Sequence, residues 1–180
     1  MNDKNSFWNQ AAKAGLVLGG VSALYLMVTY LLGLINSSGF VKILLSVVGA
    51  LLWAAKFAAC VYLMKMFIQK FANGQPEESD GRKHSAFSYG ALVSFLSALI
   101  YSAVYLAYNT YIVPEIFDQL MEAYRNMPIM TSETLETIEQ IMPKMPTIMF
   151  FSNLIYCTLF GIIVTAFVSK NTASSNPFKN

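Results

Sequence analysis

Lys56 is the one charged side chain inside an otherwise apolar stretch that runs from about Ile43 to Met64. A charge near the middle of such a stretch costs about 2.5 to 3.5 kcal/mol on insertion scales, so it either faces a polar interior or threads its stem toward an interface. Both readings stand at this level. No Asp or Glu lies in any long apolar stretch of the chain, which removes the simplest partner. The remaining choices are neutral oxygens on Tyr25, Thr29, Ser46, Tyr101, Tyr105 or Asn153, a lipid phosphate, or a carboxylate from a partner subunit.

Tyr101, Tyr105 and Tyr108 recur at helical spacing and share a face. A phenol in hydrocarbon needs a hydrogen-bond partner, so this row points into a bundle or toward an outer interface. The usual use of such a row is an aromatic belt with packing, and the sharper use is to line a polar cavity with Lys56. Asn153, near the start of the last apolar stretch, can supply an interhelical hydrogen bond worth about 0.6 kcal/mol. Lys56, Tyr101, Tyr105 and Asn153 together form the candidate intramembrane polar site.

Three other groups have a bland reading that outweighs the chemical one. Met142, Met145 and Met149 place soft thioethers at close helical spacing, as a Cu(I) site would, but they also complete an apolar stripe and have no His or Cys beside them. Cys60 and Cys157, the only cysteines, lie in apolar stretches and read as small buried hydrophobes. His84, the only histidine, follows Arg82 and Lys83 and reads as a solvated juxtamembrane residue near anionic lipid. There is no HExxH, GxSxG or Walker loop, no pair of intramembrane aspartates and no basic patch suited to nucleic acid. No enzyme, cofactor, metal or nucleic-acid partner is expected.

The elements that must position these residues follow from hydropathy. The chain has 180 residues, of which 56 % are hydrophobic and 12 % charged, with mean hydropathy +0.49. That balance is too apolar for an ordinary soluble domain of this size. About 20 helical residues cross the roughly 30 Å hydrocarbon core, so four spans and their connections use the chain and leave no room for a soluble catalytic domain. The expected fold is all-α, an integral membrane four-helix bundle forming a single domain over 1–180, with spans near 14–35, 43–64, 87–112 and 147–168.

Phe7, Trp8 and Lys13 suit a headgroup boundary ahead of the first span. The run after Lys13 is too long for a cleavable signal and is expected to remain as that span. Asn36, Ser37, Ser38 and Gly39 mark a tight turn, and the stretch Asn73 to His84, with Pro76 and its Asn-Gly and Asp-Gly pairs, marks a polar loop. Between spans three and four, 114–146 carries six of the ten acidic residues while keeping apolar stripes at helical spacing. Ile116, Phe117, Leu120, Met121 and Tyr124 form one stripe, and Leu135, Ile138, Ile141, Met142 and Met145 the other. Pro128 separates them, Thr131 is the expected N-cap of the second, with Glu133 in its first turn, and Met130 is placed to staple Leu135. Two short amphipathic helices are therefore expected as an excursion.

Basic residues set the expected orientation. Lys4, Lys13, Lys65, Lys70, Arg82, Lys83, Lys170 and Lys179 fall on one side and Lys42, Arg125 and Lys144 on the other, which places both termini in the cytoplasm and the acidic segment outside. Small residues recur every fourth position at Gly15 and Gly19, at Ser46, Ala50, Ala54 and Ala58, and at Ala86, Gly90, Ser94, Ala98 and Ser102. Such rows let helices approach closely within a monomer or between copies.

The Asn73-Gly74 turn, the Ala86-Phe87-Ser88-Tyr89-Gly90 opening of the third span, Ile112-Val113-Pro114-Glu115 at its end and the acidic two-part helix carry a family likeness over nearly the whole chain. In these features it resembles a Bacteroidota-type bacterial family of small four-span inner-membrane proteins, a domain of unknown function. Members of that family usually have a Phe-x-x-Ala-Phe-x-x-Gly pattern where the third span begins, and here the preceding loop is longer and more acidic. The resemblance implies the topology and a bacterial inner-membrane location, and it supplies no catalytic residues. It also implies an accessory role beside a membrane glycosyltransferase. Three functional expectations result: a structural or partner-binding subunit, alone or as a homo-oligomer in the lipid bilayer; a small transport or lipid-headgroup-binding protein built on Lys56; and the glycosyltransferase accessory subunit.

Overall fold

Long runs of apolar residues without proline satisfy their backbone groups within one helix, the arrangement that hydrocarbon demands. The computed structural model describes residues 3–35, 39–73 and 85–174. Six α-helices follow in order: α1 Asp3–Gly33, α2 Phe40–Asn73, α3 Ala86–Ala107, α4 Glu115–Arg125, α5 Ser132–Ile141 and α6 Met145–Ser174. There is no strand among the described residues. Four segments, Ser6–Gly33, Phe40–Asn73, Ala86–Ile112 and Ser132–Lys170, are long and apolar enough to cross a bilayer, and their outward faces carry many exposed large apolar side chains. This is an all-α membrane protein. Its helices exceed what the hydrocarbon requires, since the 34 residues of α2 rise about 50 Å at ~1.5 Å each, against a core of about 30 Å.

Within the described part of the polar turn after α1, Gly39 takes φ +62°, a left-handed conformation open to glycine without a Cβ penalty. Asn36 to Ser38, the loop Gly74 to His84 with Pro76, Arg82 and Lys83, and Lys179 lie outside the described residues.

Helix α3 is the hub, packing along α1 and α6 and also touching α2. Missing side chains permit the close approaches. A Cβ on Gly15 would stand 2.7 Å from Leu96 Cβ, one on Gly19 2.9 Å from Ile100 Cβ, and one on Gly161 2.6 Å from Ser94 Cβ, while Gly90 abuts Thr165. The small-residue row of the third span therefore meets α6 within the monomer. By contrast Ser46, Ala50, Ala54 and Ala58 on α2 are exposed. At the α3–α6 contact, Ser94 Oγ donates to the Gly90 carbonyl at 2.7 Å and lies 3.4 Å from Thr165 Oγ1. Thr165 is fully buried, so this pair gives the interface polar partners that lipid cannot supply.

The best-buried core lies at one end, formed by Phe7, Ala11, Ala14 and Leu18 of α1, Met64, Ile68 and Phe71 of α2, and Tyr89 and Val93 of α3. Phe71 and Tyr89 stack at 4.1 Å with nearly parallel planes, Phe7 meets both edge-on, and Tyr89 Oη donates to the Gln10 carbonyl at 3.4 Å. Phe7 is thus a core residue whose ring turns inward, whereas neighbouring Trp8 is exposed.

Beyond Ala107 the helix widens into a π turn, Tyr108–Ile112, where buried Asn109 donates from Nδ2 to the Tyr105 carbonyl at 2.8 Å. Proline restricts the residue before it, and Val113, ahead of Pro114, leaves the helical region and ends the run. The expected cap of α5 is present: Thr131 is extended and its Oγ1 accepts from Thr134 N–H at 3.3 Å. Arg125 at the end of α4 pairs with Glu139 of α5 at 2.6 Å. α5 then passes through the short 3₁₀ turn Met142–Lys144 directly into α6, so the second acidic helix is an extension of the last long helix.

Candidate functional site

Along α2, Ser46, Ala50, Trp53, Phe57, Cys60, Met64, Ile68 and Phe71 fall on one stripe by their three- and four-residue spacing. Its end at Met64, Ile68 and Phe71 is buried, but Trp53 and Phe57 are 59 % and 43 % exposed. The stripe leaves the core midway along α2. Where it does so, a cavity of about 410 Å³ opens between α2 and the other long helices.

The cavity wall comes from four helices. Leu18 and Ser22 of α1, Lys56 and Cys60 of α2, Ser97 and Tyr101 of α3, and Cys157 and Gly161 of α6 all face it. Its outer side carries Trp53, Phe57, Tyr156 and Phe160, all exposed on the apolar surface. Phe57 and Phe160 reach toward each other from α2 and α6 with ring centres 5.5 Å apart, and Trp53 stacks on Phe57 at 6.0 Å. The outer side of the cavity is therefore a set of exposed aromatic rings from α2 and α6, two of which meet between these helices.

Lys56 Nζ sits over two rings, 5.2 Å from the centre of Tyr25 and 5.0 Å from that of Tyr101. Each such contact is worth about 0.5 to 2 kcal/mol, the larger value applying when the cation is desolvated. Among the described residues no carboxylate is paired with Lys56, the one ion pair being Arg125–Glu139. The sequence pointed to oxygen partners, and two of those donate within their own helices: Thr29 Oγ1 to the carbonyls of Tyr25 and Leu26, and Ser46 Oγ to that of Lys42. A hydroxyl in an apolar setting satisfies its own proton on the carbonyl one turn back, and Lys56 meets ring faces instead.

The four candidate residues are brought together unequally. Lys56 and Tyr101 line the cavity. Tyr105 stands one turn along, its ring centre 6.1 Å from that of Tyr101, and the row continues through Tyr108 to Tyr30 of α1 at 6.4 and 5.7 Å. The tyrosines therefore point into the bundle as an aromatic run that leads away from Lys56. Asn153 lies one turn from Cys157 on the same side of α6 and is half-buried, but it is not among the cavity-lining residues. Met142 in the 3₁₀ turn and Met145 and Met149 at the start of α6 likewise do not line the cavity.

Cys60 and Cys157 are half-buried and both line the cavity. Sequence reading missed this meeting, since each cysteine alone is typical of an apolar helix. It also missed Trp53 at the rim and Asn109 in the π turn, although the polar Asn109-Thr110 pair inside an apolar run was a visible signal.

No curated protein and no solved structure matches this chain. A family model described as "Protein of unknown function (DUF4199)" matches residues 13–170, which include α2 to α5, most of α1 and α6, the cavity and the acidic segment. The chain belongs to the DUF4199 family.

Proposed function

We propose that this chain is a non-enzymatic, multi-pass membrane protein that holds an amphiphile with an anionic head in the cavity beside Lys56. The observation that carries this reading is the placement of one cation, without a carboxylate partner among the described residues, in a cavity of about 410 Å³ whose outer side carries exposed aromatic rings. A lysine at mid-span costs about 2.5 to 3.5 kcal/mol, and two ring contacts offset part of that. An incoming anion offsets the rest, and its hydrocarbon tail stays among the lipid chains next to Trp53, Phe57, Tyr156 and Phe160. In this reading both termini are cytoplasmic and the amphipathic α4–α5 segment lies on the opposite face.

Equilibrium binding of a spin-labelled fatty acid to the protein in phosphatidylcholine nanodiscs tests the proposal. Binding should weaken at least about tenfold in Lys56→Met, the loss of one ion-pairing contact of about 1.4 kcal/mol or more. Unchanged affinity in that variant would overturn it.

A second reading, a partner-binding or self-associating subunit, is favoured by the exposed Ser46, Ala50, Ala54 and Ala58 row on the least enclosed of the long helices. Disulfide crosslinking through an introduced Ala54→Cys, made in a chain with Cys60 and Cys157 replaced by serine, tests it. A strictly monomeric, uncrosslinked particle counts against it.

A further inference from the structure

The only two cysteines of the chain come from different helices, α2 and α6, yet both face one cavity. Met64 faces it too, one helical turn beyond Cys60 and almost fully buried. Cys157 is an electrostatic neighbour of both Cys60 and Lys56. The cavity wall thus holds two thiols, one thioether and one ammonium, and it has no His, Asp or Glu.

We propose that Cys60, Cys157 and Met64 form a binding site for a soft monovalent metal ion, Cu(I), with Lys56 as the compensating charge. Donor type selects the metal, because thiolate and thioether sulfur favour Cu(I), while hard divalent cations are held mainly by carboxylate oxygens and the wall offers only hydroxyls besides its sulfurs. Charge balance selects it again. Binding converts two thiols and Cu⁺ into a bis-thiolate complex of charge −1 with release of two protons, and the ammonium of Lys56 brings the group to neutrality. A divalent ion on the same ligands would leave one net positive charge in hydrocarbon, where an uncompensated charge is costly. No change of oxidation state is involved. This site is independent of the amphiphile reading but shares its lysine, so the metal complex and an anionic head exclude each other.

The test is anaerobic titration of the reduced protein in phosphatidylcholine nanodiscs with Cu(I), in competition with a chromophoric Cu(I) chelator. One ion per chain is expected, with a near-ultraviolet thiolate-to-copper absorption. Cys60→Ser and Cys157→Ser should each weaken binding by more than the ~10- to 100-fold typical of losing a supporting group, and Lys56→Met by about tenfold. A Met142→Leu, Met145→Leu, Met149→Leu triple variant should bind as the original protein does. Retained stoichiometry and affinity in the double serine variant, or loss that follows the methionine triple variant instead, would overturn the site.

A measurement on the unaltered protein guards against misfolded variants: one equivalent of Cu(I) should protect both cysteines from maleimide. Unchanged alkylation of both with copper bound would reject the proposal. Fatty-acid binding without copper separates the two readings, because failure of the metal site leaves it intact, whereas a loaded metal site should suppress it.

Discussion

The ammonium of Lys56 on α2 lies 5.0 Å from the centre of the Tyr101 ring on α3, and the Tyr25 ring of α1 approaches it at 5.2 Å. The only charged residue of the second apolar run is therefore held by two ring faces on two other helices. Holding it in this way ties α2 to the α1–α3 pair at mid-height, where the cavity separates α2 from close packing.

If the ring of Tyr101 and not its hydroxyl holds Lys56, Tyr101→Phe should leave stability within about 0.5 kcal/mol, while Tyr101→Leu should lower it by about 0.5 to 2 kcal/mol. Thermal unfolding in nanodiscs reads both. Equal losses in the two variants would assign the contact to the hydroxyl.

Gly161 and Gly20 should respond oppositely to the same change. A Cβ at Gly161 meets Ser94 at 2.6 Å, whereas nothing lies within 4 Å of one at Gly20. Gly161→Ala should cost about 1 to 3 kcal/mol by overpacking the α3–α6 contact. Gly20→Ala should be neutral or stabilising by up to about 1 kcal/mol through helix propensity. The two melting temperatures, measured side by side, decide it, and a tolerated Gly161→Ala would show that α3 and α6 do not approach so closely.

Arg125 and Glu139 form a short ion pair, but both side chains are about half exposed, at 60 % and 49 %. Exposed pairs contribute about 0 to 1 kcal/mol, so Glu139→Gln should barely move global unfolding. Its effect should be local, as faster amide exchange in α4 and the first turns of α5, and it should fade in the unaltered protein as salt rises. A large drop in melting temperature would mean that this segment is part of the core.

The two tryptophans probe depth separately. Trp53 is exposed midway along α2 and Trp8 near the start of α1. In Trp8→Phe, the remaining Trp53 fluorescence should be quenched best by lipids brominated deep in the acyl chain, and in Trp53→Phe the remaining Trp8 best by lipids brominated near the headgroup. Efficient quenching of Trp53 by aqueous iodide would place its helix outside the hydrocarbon.

What the sequence made legible was what neighbours along the chain decide. Long apolar runs became the four long helices, Pro114 ended the third after Val113, and Thr131 capped α5 through Thr134. Lys56 was recognisable as a misfit for the same local reason, and both ring partners, Tyr25 and Tyr101, stood among the residues named for it. Choosing them from six depended on how four helices rotate about their axes, which hydropathy does not encode when most faces are apolar. Helix rotation also explains why the convergence of Cys60 and Cys157 was invisible, and why Asn153 was grouped with Lys56 although it does not line the cavity. The small-residue rows had the same ambiguity. Gly90 and Ser94 found α6, while Ala50 and Ala54 found no helix of this chain among the described residues.

The hub position of α3 has a consequence for biosynthesis. α1 packs far more extensively on α3 than on α2, and α6 likewise takes α3 as its main neighbour. A ribosome delivers α1 and α2 first, so the opening hairpin must wait in the translocon's surroundings with its principal mating surface vacant. Gly15 and Gly19 acquire their counterparts, Leu96 and Ile100, only after the third segment emerges. A pause in translation between Asn73 and Ser85 would expose this immature intermediate to quality-control proteases.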